Sequence, residues 1–435
     1  MLKGGDDHSA SRVPPADRSR LVVVTLVRIG AMTSLSQFMV GAALGNSMSF
    51  WQAIMATILG SLVIEFVSLG LGIAGAREGL STSLLARWCG FGRYGSVLIG
   101  ALIGVSLLGW FGIQNAVFAN ALNSAFNDKL GFAASAAISG GAITIIVAFG
   151  FRALSWTAKF VVPLFFAVVI WSMYRIVGST SVIALLTAMP SGKAIPLGVG
   201  ATVVAGGYIA GALITPDLSR YCKSSKHVFW MTFSSIVVGE FIVNTMAILI
   251  AHAVGTSDVT TILTQTAGWI GLVTVILSAV KINDINLYSS SLAIGTAIEG
   301  ASGKRLNRVV LTVLMGIIGT TLSIAGILNQ FVTFLVILGV TFPPIAGVML
   351  VDYFILRTSR DALESSRMSG TLPTTSLSIG WTAIAACAIG SAAGLLIKVG
   401  IPSLTSLVCA AASYWIARVS FQKSIANGAK SEIYR

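Results

Sequence analysis

Charge is what this sequence has least of. Only 10% of its 435 residues are Asp, Glu, Lys or Arg, against about 25% in an ordinary soluble domain. A chain so poor in charge cannot cover itself for water, and its 55% hydrophobic content and mean hydropathy of +0.89 agree. A water-soluble globular fold is thereby excluded in favour of a polytopic membrane protein. Histidine is scarce as well. His8, His227 and His252 lie far apart, with no H-x-x-H or HExxH spacing, so no catalytic metal centre is expected. No lysine follows a glycine loop in the Walker manner, which argues against ATP-driven transport by this chain. The four cysteines, Cys89, Cys222, Cys387 and Cys409, show neither close pairing nor metal spacing. A disulfide framework is not expected, and no cofactor is implied.

Long apolar runs are what the sequence does have. Spanning a bilayer as helix takes about 20 mostly apolar residues. Candidate segments fall near 21–45, 51–75, 94–122, 133–151, 154–174, 196–217, 228–253, 266–297, 308–326, 329–355, 377–397 and 402–418. They are apolar all round rather than alternating, which predicts helices and not barrel strands. The expected fold is an all-α integral membrane protein with one transmembrane domain over 21–418, flanked by polar tails at 1–20 and 419–435. The run beginning at Leu21 is too long for a signal peptide and reads as the first span.

The basic residues are distributed unevenly over the loops. With the N-terminus inside, the inner loops and tails collect nearly all of them, including Lys3, Arg12, Arg77, Arg152, Arg305, Arg357, Arg360 and Arg435, while Lys129, Arg175, Lys193 and Lys398 alone fall outside. Both termini are therefore expected in the cytoplasm. This asymmetry accounts for the net charge of +13 without any nucleic-acid partner. The partner is the bilayer.

Two segments carry comparable glycine interruptions, Gly30-Ala31-Met32-Thr33-Ser34 in the first and Gly206-Gly207-Tyr208-Ile209-Ala210-Gly211 in the sixth. Matching interruptions five segments apart suggest inverted repeats, about 21–176 and 196–355, followed by two extra helices at 377–418. Unwound backbone at both centres would meet at a midplane site. The alternative is that the glycines merely permit close helix packing.

Polar residues inside apolar segments mark the candidate site. Trp110 and Gln114 in the third segment are four apart and share a helix face. An indole beside an amide suits a planar heterocycle, with stacking on one side and edge hydrogen bonds on the other; the alternative is an interfacial belt tryptophan. Tyr208 is expected to close the other face of the same ring. Lys281 with Asn283, Asp284 and Asn286 forms the densest intramembrane polar cluster. The lysine reads in three ways: as a structural bridge to Asp284 at i, i+3, as a proton-responsive group, or as a fixed ammonium standing in for a coupling cation. Glu65 and Glu240 are candidate proton carriers or, alternatively, packing residues or partners for Lys281 or Arg28. Arg28 is seven residues past Leu21, about 10 Å along a helix, and is expected to snorkel to the headgroups.

Several stretches taken in order resemble the nucleobase:cation symporter-1 family, bacterial cytosine permeases most of all. They are Gly75-Ala76-Arg77-Glu78-Gly79-Leu80, Gly109-Trp110-Phe111-Gly112, Thr215-Pro216-Asp217-Leu218-Ser219-Arg220-Tyr221, Asn283-Asp284 with Leu287-Tyr288, and Phe342-Pro343-Pro344 through Asp352-Tyr353. The resemblance implies a twelve-helix, five-plus-five inverted-repeat fold of the leucine-transporter type, with helices 1 and 6 discontinuous. It implies alternating access and a heterocyclic substrate such as cytosine, a purine, uracil, hydantoin or allantoin. It matches Trp110, Gly207, Tyr208 and Asn283 to family substrate positions, and Gly30, Ser34 and Ser278 to the family's cation site. Two departures stand out. Leu107 replaces a glutamine found in cytosine permeases, while Gln114 resembles the hydantoin and uracil branch. Lys281 and Ile282 occupy helix 8 positions where relatives offer oxygen ligands, so a proton is expected as coupling ion rather than sodium. Rival readings are a carrier of another small solute, such as a vitamin or amino acid, an intramembrane enzyme, or a non-transporting receptor.

Overall fold

A computed structural model describes residue 8 and residues 11–149 and 154–433. Lys3, Arg152 and Arg435, placed on the basic side above, lie outside these. Within them every regular element is helical. Eight helices are long and apolar enough to cross a bilayer, one bent pair makes a further span, and three shorter apolar helices fill the remaining predicted segments.

The spans are α1 (Leu21–Met32 and Leu35–Ser47), α2 (Phe50–Glu78), α3 (Gly92–Ala125), α4 (Phe132–Phe149), α5 (Leu154–Ser179) and α6 (Leu197–Leu213). The second set is α7 (Ser225–Ile236, a π-helical stretch Val237–Val243, and Asn244–Val254), α8 (Val259–Ser302), α9 (Arg308–Ile324), α10 (Phe331–Leu350, running on as π-helix Val351–Leu356), α11 (Trp381–Leu396) and α12 (Pro402–Ile433). Helix is the form in which an isolated span satisfies its own backbone in lipid. The ends are set by local chemistry. Asp258 caps α8 by accepting from the Thr260 and Thr261 amides, Asn307 caps α9, and Gly79 ends α2 in the left-handed conformation at φ +65°.

Helices α3, α4, α8 and α9 pack as one group, with α8 lying along α3. A second group is formed by α1, α2, α6 and α7, against which α10 and then α11 and α12 are laid. The first half of α1 packs on the first half of α7 and has no comparable contact with α3 or α8, whereas its second half reaches α8.

The break in α1 falls at Thr33 and Ser34, where the two halves bend by 52°. Gly30 itself remains helical three residues earlier. Helix α6 departs from expectation in detail: it runs unbroken through Gly206–Gly211 and is interrupted at Ile214, before the short helix Thr215–Ser219. Its glycines serve packing. A Cβ on Gly206 would fall well inside van der Waals contact of the Leu335 carbonyl on α10, and one on Gly207 would meet Val40 at 3.0 Å. Backbone-to-backbone approach of this kind needs no unwinding. Gly206→Ala is thus expected to lower the melting temperature of the purified protein, by overpacking worth about 1–3 kcal/mol; an unchanged melting curve would show that α6 and α10 can separate freely.

Candidate substrate and coupling site

Near the middle of α1, α3, α7 and α8, buried side chains link into a polar belt. Asn286 donates to the Asn283 side-chain oxygen at 3.4 Å, and Asn283 donates to the Phe111 carbonyl at 3.3 Å, one residue from Trp110. On the same helix Gln114 donates to Ser36 Oγ at 2.8 Å, two residues past the α1 break. The next residue, Gln37, donates to Glu240 Oε2 at 2.7 Å and to Asn244 Oδ1 at 2.9 Å, and Asn244 donates to the same Glu240 oxygen at 3.1 Å. Gln114, Asn283, Glu240 and Asn244 are wholly buried. Two acceptors in the belt, Gln114 Oε1 and Glu240 Oε1, nevertheless have no partner among the described residues, and neither does Asp284 Oδ1, next to Asn283 in sequence. An unpartnered buried acceptor costs about 1–3 kcal/mol, so groups left this way mark a place for a donor-bearing solute or a proton.

Trp110 is 8% exposed and faces protein, not lipid. Phe331 and Phe334 of α10 meet its ring at 6.0 and 5.5 Å between centroids, both near perpendicular. Phe331 also lines a cavity of about 350 Å³ that includes Met39, Val117 and Asn120, so the indole lies just behind that cavity's inner wall. Tyr208 is placed elsewhere. Its ring folds back over Gly211 and lies 5.4 Å from the Arg28 guanidinium carbon, on a second cavity of about 520 Å³ between the first half of α1 and the end of α6. The rings of Trp110 and Tyr208 thus border different spaces in this conformation.

Lys281 does not bridge to Asp284. Neither forms an ion pair or a side-chain hydrogen bond with a described residue, although they are one turn apart. The lysine lies in a narrow crevice bounded by Thr33, Ser34 and Leu35 at the α1 break, by Val161, Val162 and Phe165 of α5, and by Ser278 and Ile282 on its own helix. Ser278 Oγ there is also unpartnered. Residues 281 and 283 lie on different faces of α8, so the helix turns its asparagines toward α3 and its ammonium toward the break.

The expectation for Arg28 is overturned. It is 2% exposed and does not snorkel. Its guanidinium donates to Ser235 Oγ at 3.1 Å, Thr215 Oγ1 at 3.0 Å and Ser68 Oγ at 2.7 Å, while Tyr208 covers it. Three hydroxyls and a π face replace headgroup water, and they tie α1 to α2, α6 and α7. Glu65, one turn from Ser68, is half-buried and accepts from Thr232 Oγ1 at 2.7 Å. It forms no ion pair with Arg28 or Lys281, and its second oxygen has no partner.

The profile of a family of permeases for cytosine/purines, uracil, thiamine and allantoin matches residues 18–417. The chain belongs to that family. The cytosine permease of Escherichia coli strain K12 is similar to this permease at 29% identity over 412 residues, 94% of each chain. Among solved structures, an inward-facing conformation of Mhp1 superposes with a TM-score of 0.79 at 18% identity, covering 95% of this permease and 94% of Mhp1. A closed conformation of Mhp1, a nucleobase-cation-symport-1 transporter holding bromovinylhydantoin, gives 0.73 at 20% identity, covering 94% and 96%. The fold is therefore the five-plus-five inverted repeat of leucine-transporter-like proteins, and the permease is a multi-pass membrane transporter, a secondary carrier and not an enzyme.

Three participants in the belt went unnoticed in the sequence: Ser36, Gln37 and Asn244. Gln37 and Asn244 are polar residues inside apolar runs, the same signal that exposed Glu240. Asn244 is also four residues beyond Glu240, on its face of α7.

Proposed function

We propose that this permease imports a nucleobase or a related planar heterocycle across a bacterial inner membrane by alternating access, coupled to protons rather than sodium, with both termini in the cytoplasm. The observation that carries the substrate reading is the belt joining Gln114, Ser36, Gln37 and Asn283 beside Trp110. It offers amide groups and unpartnered acceptors next to an aromatic ring, which fits a flat ligand edged with N–H and C=O groups. The similarity to a cytosine permease and to a hydantoin-bound transporter supports the same class. Gln114, placed after the tryptophan, favours a hydantoin- or uracil-like edge over that of cytosine.

For coupling, the reading rests on Lys281 at the α1 break. Its ammonium supplies a fixed positive charge where a bound sodium would need hard oxygen ligands. Thr33, Ser34 and Ser278 frame that position, and Glu240, with one oxygen free, is the proton carrier, Glu65 and Asp284 being subsidiary acids.

Uptake by proteoliposomes of labelled cytosine, uracil, adenine, hydantoin and allantoin, under separately imposed proton and sodium gradients, tests the proposal. Accumulation of at least one of these under an inward proton gradient is expected. No accumulation of any heterocycle, together with uptake of an amino acid or vitamin, would overturn the substrate class. Glu240→Gln is expected to abolish accumulation against a gradient while leaving counterflow exchange within about threefold of wild type. Equal accumulation by the variant would remove Glu240 from the coupling step.

A further inference from the structure

At the basic end of the bundle, away from the belt, four arginines face one small pocket. Arg77 ends α2; Arg357, Arg360 and Arg367 follow α10, the last two on the short helix Arg360–Met368. The space they border with Trp88 and Phe354 is small, about 80 Å³. It admits a phosphate group.

The pocket's own carboxylates leave these cations largely unmatched. Glu78 is engaged from behind by Arg12, whose guanidinium donates to its Oε2 at 3.1 Å, and by Tyr353, whose hydroxyl donates to its Oε1 at 2.7 Å. Arg77 and Arg367 reach Glu78 only at 4.0 and 3.5 Å. Asp352 accepts from Tyr414 at 2.5 Å and Thr358 at 2.7 Å, neither of them a cation. Glu364 stands 3.8 Å from Arg360 and 3.5 Å from Arg367. Including Arg12, five guanidinium charges thus meet three carboxylates, and the ion pairs are long except that of Arg12.

Arg357 adds a second observation. It takes the left-handed conformation at φ +55°, uncommon for any residue but glycine. Its amide donates to the Asp352 carbonyl at 2.6 Å, and its Nε donates to the Phe354 carbonyl at 3.0 Å. This backbone outlier closes the π-helical end of α10 and sets the guanidinium at the pocket's rim. Beside it, Phe354 is 38% and Ile355 62% exposed, so apolar surface continues from the pocket onto the membrane-facing side.

We infer that Arg77, Arg357, Arg360 and Arg367 form a binding site for a phosphate group, presented by the headgroup of an anionic phospholipid whose chains lie along Phe354 and Ile355. Guanidiniums bind phosphate oxygens through paired N–H donors, and basic pockets between helices at this depth suit acidic headgroups. Such a ligand would tie the end of α2 to the segment after α10.

Native mass spectrometry of the purified full chain, titrated with phosphatidylglycerol, phosphatidylethanolamine and inorganic phosphate, tests this. Phosphatidylglycerol is expected to be retained in preference to phosphatidylethanolamine. The double variant R357Q/R360Q should weaken that retention about tenfold or more, and R357K/R360K should restore part of it. Arg305, exposed at the same end and paired to Glu299 at 2.6 Å, provides the control, since R305Q should bind as wild type does. Inorganic phosphate bound by wild type and lost in R357Q/R360Q, without lipid retention, would support the phosphate site and assign its source to solution. Equal binding of every ligand by wild type and R357Q/R360Q would overturn the inference. Both exchanged side chains are exposed, and an unchanged melting temperature confirms that the variant is folded.

Discussion

Alanine in place of Trp110 is expected to abolish measurable uptake of every heterocycle the permease carries. Stacking of a base on an aromatic side chain contributes about 1–3 kcal/mol, roughly a ten- to hundredfold change in affinity, and the adjacent ring on α3, Phe111, is packed against Gly319 of α9. The indole also supports Phe331 and Phe334, so truncation costs packing as well; Trp→Ala in a core typically costs about 3–5 kcal/mol. The two effects separate experimentally. Trp110→Phe keeps an aromatic face and most of the packing, and should bind with affinity within about tenfold of wild type. Ligand-induced thermal shift on the purified variants measures both quantities at once. Unchanged affinity in Trp110→Ala would remove the stacking model.

The second large effect concerns the coupling ion. Replacing sodium by potassium or choline, at fixed pH and membrane potential, is expected to leave the uptake rate unchanged. The reason is the Lys281 ammonium beside Thr33, Ser34 and Ser278. Two unit charges 4 Å apart repel by about 4 kcal/mol at an effective dielectric constant near 20, close to a thousandfold loss of sodium affinity. Lys281→Met removes the charge without supplying oxygen ligands, so it should lose proton-driven accumulation without gaining a response to sodium. Uptake that rises with sodium under these clamped conditions would refute the assignment of Lys281, whatever the substrate proves to be.

Both predictions rest on residues that stood out in the sequence to different degrees. Trp110, Gln114, Lys281 and Glu240 announce themselves as polar or amphipathic side chains within apolar runs, because a bilayer makes every such residue conspicuous. Arg28 announced itself equally and was misread. Its distance from the helix start allowed snorkelling, and only the folded chain shows Ser68, Thr215 and Ser235 converging from three other helices to replace the headgroups. The glycines misled in the opposite sense. Gly206 signals close approach to α10, not unwinding, and sequence does not distinguish the two uses. The actual breaks fall at Thr33–Ser34, where no special residue demands one, and at Ile214, where Pro216 in the first turn of the next short helix cannot continue α6.

What the sequence determined by itself is the class and the approximate count: a helical membrane protein of about twelve apolar segments, with family motifs in order and a lysine inside the eighth. These follow from properties each segment carries alone, since a span must be apolar and about 20 residues long whatever its neighbours are. Tertiary structure decided the partnerships. It joined Gln37 to Glu240 and Asn244, parted Lys281 from Asp284, and set Tyr208 over Arg28 instead of opposite Trp110. Hydrogen bonds between helices depend on rotation and depth relative to other spans, and inside lipid the helices have no shared solvent-facing side from which those could be read in advance.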